Sequence, residues 1–73
     1  METPPVVRLA NDIAAQFRHL PPDEAAAEVA NHIRRFWDPR MRLALLDLAD
    51  HEQADLDAGV IAAVRVLRKG VAS

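Results

Sequence analysis

Three histidines, eleven carboxylates and nine lysines or arginines are the side chains of this chain that could do chemistry. Glu28 and His32 are four residues apart, as are Asp47 and His51, a spacing that puts both members of a pair on one helical face. Two such pairs meeting at a point would make a four-ligand metal site. Each pair alone is a solvated surface contact worth a few tenths of a kcal/mol, and that is the reading retained here. His19 belongs to a different segment. The acidic stretch of Asp47, Asp50, Glu52, Asp55 and Asp57 lacks the Asp-x-Asp-x-Asp-Gly order of a calcium loop. With no cysteine among 73 residues, a thiolate metal site, a thiol nucleophile and a disulfide scaffold are all excluded. Ser73 and Thr3 are the only hydroxyl nucleophiles of their types, and Gly59 and Gly70 cannot assemble a phosphate cradle. Paired carboxylates need a pocket to shift their pKa values, and so short a chain has little room for one. No catalytic, cofactor-binding or metal residue is assigned, no cofactor is expected, and the chain is read as non-enzymatic.

What remains is one unusual run. Arg34, Arg35, Arg40 and Arg42 cluster around Asp38-Pro39, with Phe36 and Trp37 among them. Tryptophan and arginine dominate protein interface hot spots, and an arginine fork clamps carboxylates or carbonyls. Mixed basic and aromatic residues also suit nucleic acid, so a small helical nucleic-acid-binding regulator is the alternative from another class. Against it, Phe36 and Trp37 are needed for a core stripe, and the net formal charge is −2, where nucleic acid asks for a basic face. The bland reading is arginines snorkelling over an apolar edge. Protein binding is preferred. Arg34, Arg35, Trp37, Asp38, Pro39, Arg40 and Arg42 form the candidate docking set, with Trp37 chiefly a core buttress. Leu43 and Leu46 lie off the inner stripe of their helix and supply an exposed apolar part.

The elements that position this run follow from turn residues and periodicity. Thr3-Pro4 starts a first helix over about residues 4–19, with Val6, Leu9, Ala10, Ile13, Phe17 and Leu20 as its stripe. Pro21-Pro22 ends it and opens a second over about 22–37, where Asp23 and Glu24 suit the positive end of the dipole. Its stripe is Ala26, Val29, Ala30, Ile33, Phe36 and Trp37. Asp38 caps and Pro39 begins a third helix over about 39–50, with Met41, Ala44, Leu45, Leu48 and Ala49 inward. A polar loop follows. Asp57 caps a last helix over about 58–69, with Val60, Ile61, Val64 and Leu67 inward and Gly70 as its stop. The fold class is all-α, a small compact bundle of three to four short helices in a single domain spanning residues 1–73. A domain of this size buries only about 60% of its unfolded surface, so tight helix packing or a partner must supply stability. No apolar run approaches the roughly 18 residues of a membrane span. The acid and prolines of Met1-Glu2-Thr3-Pro4-Pro5 are unlike a signal peptide. The expectation is a cytoplasmic protein with no membrane and no nucleic-acid partner.

The string His32-Ile33-Arg34-Arg35-Phe36-Trp37-Asp38-Pro39-Arg40-Met41-Arg42 resembles the signature of the delta subunit of soluble, NAD-dependent, molybdenum-containing formate dehydrogenases. The run Leu9-Ala10-Asn11-Asp12-Ile13-Ala14-Ala15-Gln16-Phe17 and the Pro21-Pro22-Asp23-Glu24-Ala25 corner with Val29-Ala30 are similar to that family too. The likeness covers about residues 8–46. In the C-terminal third the family pattern leads one to expect a glycine-containing linker and a proline after the aspartate cap. Here the linker is acidic and Ala58 follows Asp57, which leaves the pose of the last helix open. The resemblance implies an accessory subunit of an enzyme that oxidises formate to carbon dioxide and passes electrons to NAD. It implies that the molybdenum cofactor, iron–sulfur clusters and flavin belong to larger subunits, and that the large (alpha) subunit is the partner. A permanent subunit and a transient maturation factor both fit. Self-association of the isolated chain, covering its apolar docking face, is compatible with either.

Overall fold

Prolines set the helix starts. The computed structural model describes residues 4–51 and 55–72, the side chains of 70–72 apart, and contains α1 (Pro5–Gln16), α2 (Pro22–Phe36), α3 (Pro39–His51) and α4 (Ala58–Ala72). Proline is the first residue of α1, α2 and α3. Its missing N–H falls where no intrahelical partner exists, and its φ is already helical. Pro4 and Pro21 precede α1 and α2 with extended ψ values of 144° and 149° and no side-chain cap. Their carbonyls take the first helical bonds, from Val7 and Arg8 to Pro4 and from Ala25 to Pro21. The capping expectation for Thr3 lies outside the described residues.

α1 ends earlier than its apolar pattern suggests. Past Gln16 the chain tightens into three-residue turns, with the amides of Phe17, Arg18 and Leu20 bonding the carbonyls of Ala14, Ala15 and Phe17. The extended conformation required before Pro21 leaves no room for another α turn. At the other extreme α4 runs through Gly70 to Ala72, so Gly70 is not a stop. Glycine weakens a helix by only about 1 kcal/mol relative to alanine and does not by itself end one. α3 likewise extends to His51.

The core is apolar throughout. Val7, Ala10, Ile13 and Ala14 of α1 meet Val29, Ala30 and Ile33 of α2, Leu45 and Ala49 of α3, and Val60, Ala63, Val64 and Leu67 of α4 in one cluster. Leu56, in the segment before α4, closes it. α2 and α4 are the most extensively packed pair, and α1 touches all three other helices. The inner face of α1 differs from the expected stripe. Val7 and Ala14 are buried, Val6 and Phe17 are half-buried, and Leu9 is 46% exposed. Apolar residues cover most of α1's circumference, so its own periodicity leaves the inward direction open by about one residue, or 100°. The radius of gyration is 11.2 Å, equal to the roughly 11 Å of a compact chain of this length.

Candidate functional site

The corner between α2 and α3 is the site the sequence pointed to, and its geometry is set by local bonds. The amide of Trp37 closes α2 on the carbonyl of Ile33 at 3.0 Å, after which Trp37 turns extended (φ −93°, ψ 140°). Asp38 then caps α3: the Met41 amide donates to its Oδ1 at 2.9 Å, and the Arg42 amide to its carbonyl at 3.2 Å. The capping expectation for Asp38 and the first-turn expectation for Pro39 both hold. Two residues separate the helices, so the corner has almost no freedom of its own.

That turn divides two adjacent aromatics. Trp37 is 8% exposed and joins the core, whereas Phe36 is 70% exposed. The expectation that both would flank the core stripe of α2 is corrected for Phe36. A regular helix would have splayed the two rings to either side of Ile33. Because Trp37 leaves the helix, its indole fills the core under the corner and Phe36 stays outside. His32 lies against the Phe36 ring, with centroids 4.7 Å apart and planes at 40°, and the Arg35 guanidinium carbon is 6.0 Å from that ring's centroid. These are a tilted aromatic contact and a cation–π contact at the limit of its range.

The arginines separate as well. Arg34 Nη2 donates to the carbonyl of Val66 at 3.2 Å and so ties the end of α2 to α4. The Arg40 and Arg42 side chains make no hydrogen bond or ion pair among the described residues, and the Arg35 guanidinium has only its contact with Phe36 there. Leu43 is 65% exposed, as expected. Leu46 differs from expectation: it is half-buried and packs against the core, while its carbonyl accepts from Arg68 Nη2 at 3.1 Å. The Arg68 guanidinium also pairs with Asp50, drawing the middle and end of α3 onto α4.

The remaining polar groups serve the fold. Asp57 caps α4, its Oδ1 accepting from the Gly59 amide at 3.1 Å, while Arg18 Nη2 donates to Oδ2 at 2.8 Å. The Asn11 side chain brackets this turn, accepting from the Asp57 amide at 2.8 Å and donating to the Asp55 carbonyl at 3.0 Å. The Arg18 hydrogen bond, then the Gly59 amide, holds the Asp57 carboxyl below its ordinary value despite partial desolvation. A shallow groove nearby, lined by Ala14, Leu20, Ala25 and Ala62, has this engaged ion pair at its rim. His51 Nδ1 sits 3.3 Å from Asp47 Oδ1, the expected four-residue pair. His32 lies against Phe36 and, among the described residues, makes no ion pair with Glu28. No group of three or more histidines or carboxylates gathers to hold a metal among the described residues.

Fold and surface define a small all-helical protein with an entirely apolar core and a rigid, arginine-rich corner facing outward. The family model of the NADH-dependent formate dehydrogenase delta subunit, FdsD, matches residues 5–64. The chain therefore belongs to that family and is a delta subunit of a formate dehydrogenase complex. The match takes in the whole α2–α3 corner and also the acidic segment and the start of α4, where the likeness read from the sequence was weakest. No curated protein and no solved structure matches the chain. Among the described residues, no helix is long and apolar enough to cross a membrane.

Proposed function

We propose that this delta subunit is a non-catalytic, cytoplasmic component that binds the molybdenum-cofactor-bearing large subunit of the NAD-dependent formate dehydrogenase and stabilises or helps assemble it. The docking surface is the α2–α3 corner: Arg34, Arg35, Trp37, Asp38, Pro39, Arg40 and Arg42, with Leu43 and Leu46 from the next turns. The observation carrying this reading is that the Arg40 and Arg42 side chains have no partner among the described residues, on a corner held by the Asp38 cap. Cations held on a rigid frame lose little conformational entropy when a partner's carboxylates or carbonyls reach them. Within the set the roles differ. Asp38 and Pro39 fix the turn, Trp37 supports it from below, and Arg34 anchors it to α4. Arg35, Arg40, Arg42 and Leu43 make the contacts.

The cofactors that the family resemblance implies include iron–sulfur clusters and molybdenum, and this reading places them outside the delta chain. The chain has no cysteine for an iron–sulfur cluster, and no convergent metal-ligand group among the described residues. The redox chemistry is accordingly assigned to the larger subunits. Co-expression with the large subunit carrying the purification tag tests the proposal. The wild-type chain is expected to co-purify with the large subunit, and Arg40→Ala/Arg42→Ala to be lost at unchanged helicity. Equal retention of the double variant removes these arginines from the surface. Stoichiometric retention of the wild-type chain in purified active enzyme distinguishes a permanent subunit from an assembly factor that leaves.

A further inference from the structure

A single exposed hydrophobic side chain needs no explanation; the company Phe36 keeps does. It is the most exposed large hydrophobic residue described in the chain. It stands on the last turn of α2 and is buttressed by the His32 ring on one side and the Arg35 guanidinium on another. Four residues further on is Arg40, and chain geometry limits their Cα separation to about 14 Å. Residues 34–42 hold four arginines and one aspartate in a chain whose net formal charge is −2. Asp38 accepts from the Met41 amide and Arg34 donates to the Val66 carbonyl, and both keep their charge. With four arginines against one aspartate, the segment around Phe36 carries net positive formal charge.

We infer that Phe36 is the anchor of the docking surface and that it seats in an apolar pocket of the large subunit whose rim carries carboxylates. This rests on the docking reading above and deepens it by stating the partner's chemistry. A few residues seated in desolvated pockets carry most of the binding energy of typical interfaces, and phenylalanine is among the types enriched there. The helix end and the two flanking side chains restrict the Phe36 ring before docking, which lowers the ordering cost. Arg35, Arg40 and Arg42 then meet the acidic rim, steering approach and fixing orientation. In that arrangement Arg35 keeps its place over the ring and reaches a carboxylate with its free guanidinium edge. Leu43 extends the apolar contact along α3.

The test is a binding titration of the full-length delta chain against formate dehydrogenase purified without it. Phe36→Ala is expected to weaken Kd by at least about 30-fold, and Phe36→Leu by only about three- to tenfold, since it keeps an apolar group of similar reach. The circular dichroism spectrum and the Tm of both variants should match wild type, because the ring is outside the core. Replacing Arg35, Arg40 and Arg42 by Gln should weaken binding and flatten its dependence on salt between about 50 and 500 mM, the signature of screened charges. Undiminished affinity of Phe36→Ala overturns the anchor while leaving the docking reading intact. Wild-type binding that ignores salt overturns the acidic rim. Failure of the wild-type chain to bind at all removes the docking reading and this inference together. Phe36- and arginine-dependent binding of duplex DNA or RNA at low salt, with enzyme binding unaffected by the same variants, overturns it in favour of nucleic acid.

Discussion

Two aspartates begin helices in this protein, and their surroundings are opposite. Asp57 is held by bonds from distant parts of the chain, Arg18 and Asn11, as well as by the Gly59 amide of its own helix. Among the described residues Asp38 bonds only the first turn of α3, and the Arg40 and Arg42 side chains near it have no partner. One corner uses its cation to close the fold; at the other, Arg34 ties α2 to α4 while the Arg40 and Arg42 side chains stay unpaired among the described residues. An aspartate cap with a nearby arginine is thus no guide to role. The deciding question is whether the guanidinium already has a carboxylate within the same molecule.

The largest effect expected from breaking the comparison lies beneath the outward corner. Trp37→Ala should destabilise the chain by about 3–5 kcal/mol, measured by denaturant unfolding, because it empties a core position. Such a loss consumes much of the roughly 5–15 kcal/mol of a typical domain. Phe36→Ala, one residue earlier, should stay within about 0.5 kcal/mol of wild type. Similar losses from the two would deny that the turn separates an inner from an outer aromatic.

Next come the caps themselves. Asp57→Ala should cost about 1–2 kcal/mol and Asp38→Ala toward the lower end of the usual 0.5–2 kcal/mol range for a lost cap. Asp57→Ala also strips Arg18 of its partner, though the Arg18 side chain is 71% exposed and such a pair is worth no more than about 1 kcal/mol. Retention by the large subunit should show the reverse ranking, Asp38→Ala being the more damaging. If Asp57→Ala abolished retention at moderate cost in stability, the division between a folding corner and a docking corner would be lost.

The smallest effect is a shift with pH. The folded Asp57 carboxyl titrates below its unfolded value of about 3.8, so it stabilises the chain above that value. The contribution fades as pH falls through the lower, folded pKa. Unfolding midpoints followed downward from about pH 5 should therefore fall more steeply for wild type than for Asp57→Asn. Parallel acid limbs would show that the Arg18 bond does not tune this group in solution.

Much of the architecture was legible because it is local. Pro5, Pro22 and Pro39 begin helices for reasons contained in one residue's ring, and Asp38 and Asp57 cap with atoms two or three residues away. The family assignment was legible for a related reason: a contiguous string around Trp37-Asp38-Pro39 carries it. The candidate site was legible as a set of residues but not as a surface. Leu46 and Leu43 differ by three positions on one helix, yet Leu46 is covered by α4 contacts and Leu43 is not. Arg34 and Arg40 looked alike, and only the nearness of Val66 separates them. A usable signal for Phe36 was present: with Asp38 as the cap of α3, Trp37 has to leave α2, so the adjacent rings cannot share one stripe.

The sequence by itself determined where helices start, that they are amphipathic, that no thiol chemistry is possible and which family the chain resembles. These depend on side-chain identity and neighbours within one turn. Only the tertiary structure decided which face of α1 is buried, which of two aromatics is core and which arginines are already bonded. Those outcomes depend on groups 18 to 46 residues apart, as in Arg68 with Asp50, Arg34 with Val66 and Asn11 with Asp57. No periodicity within a single helix encodes such a pairing, because it arises only when the packed helices bring the groups within a few ångströms.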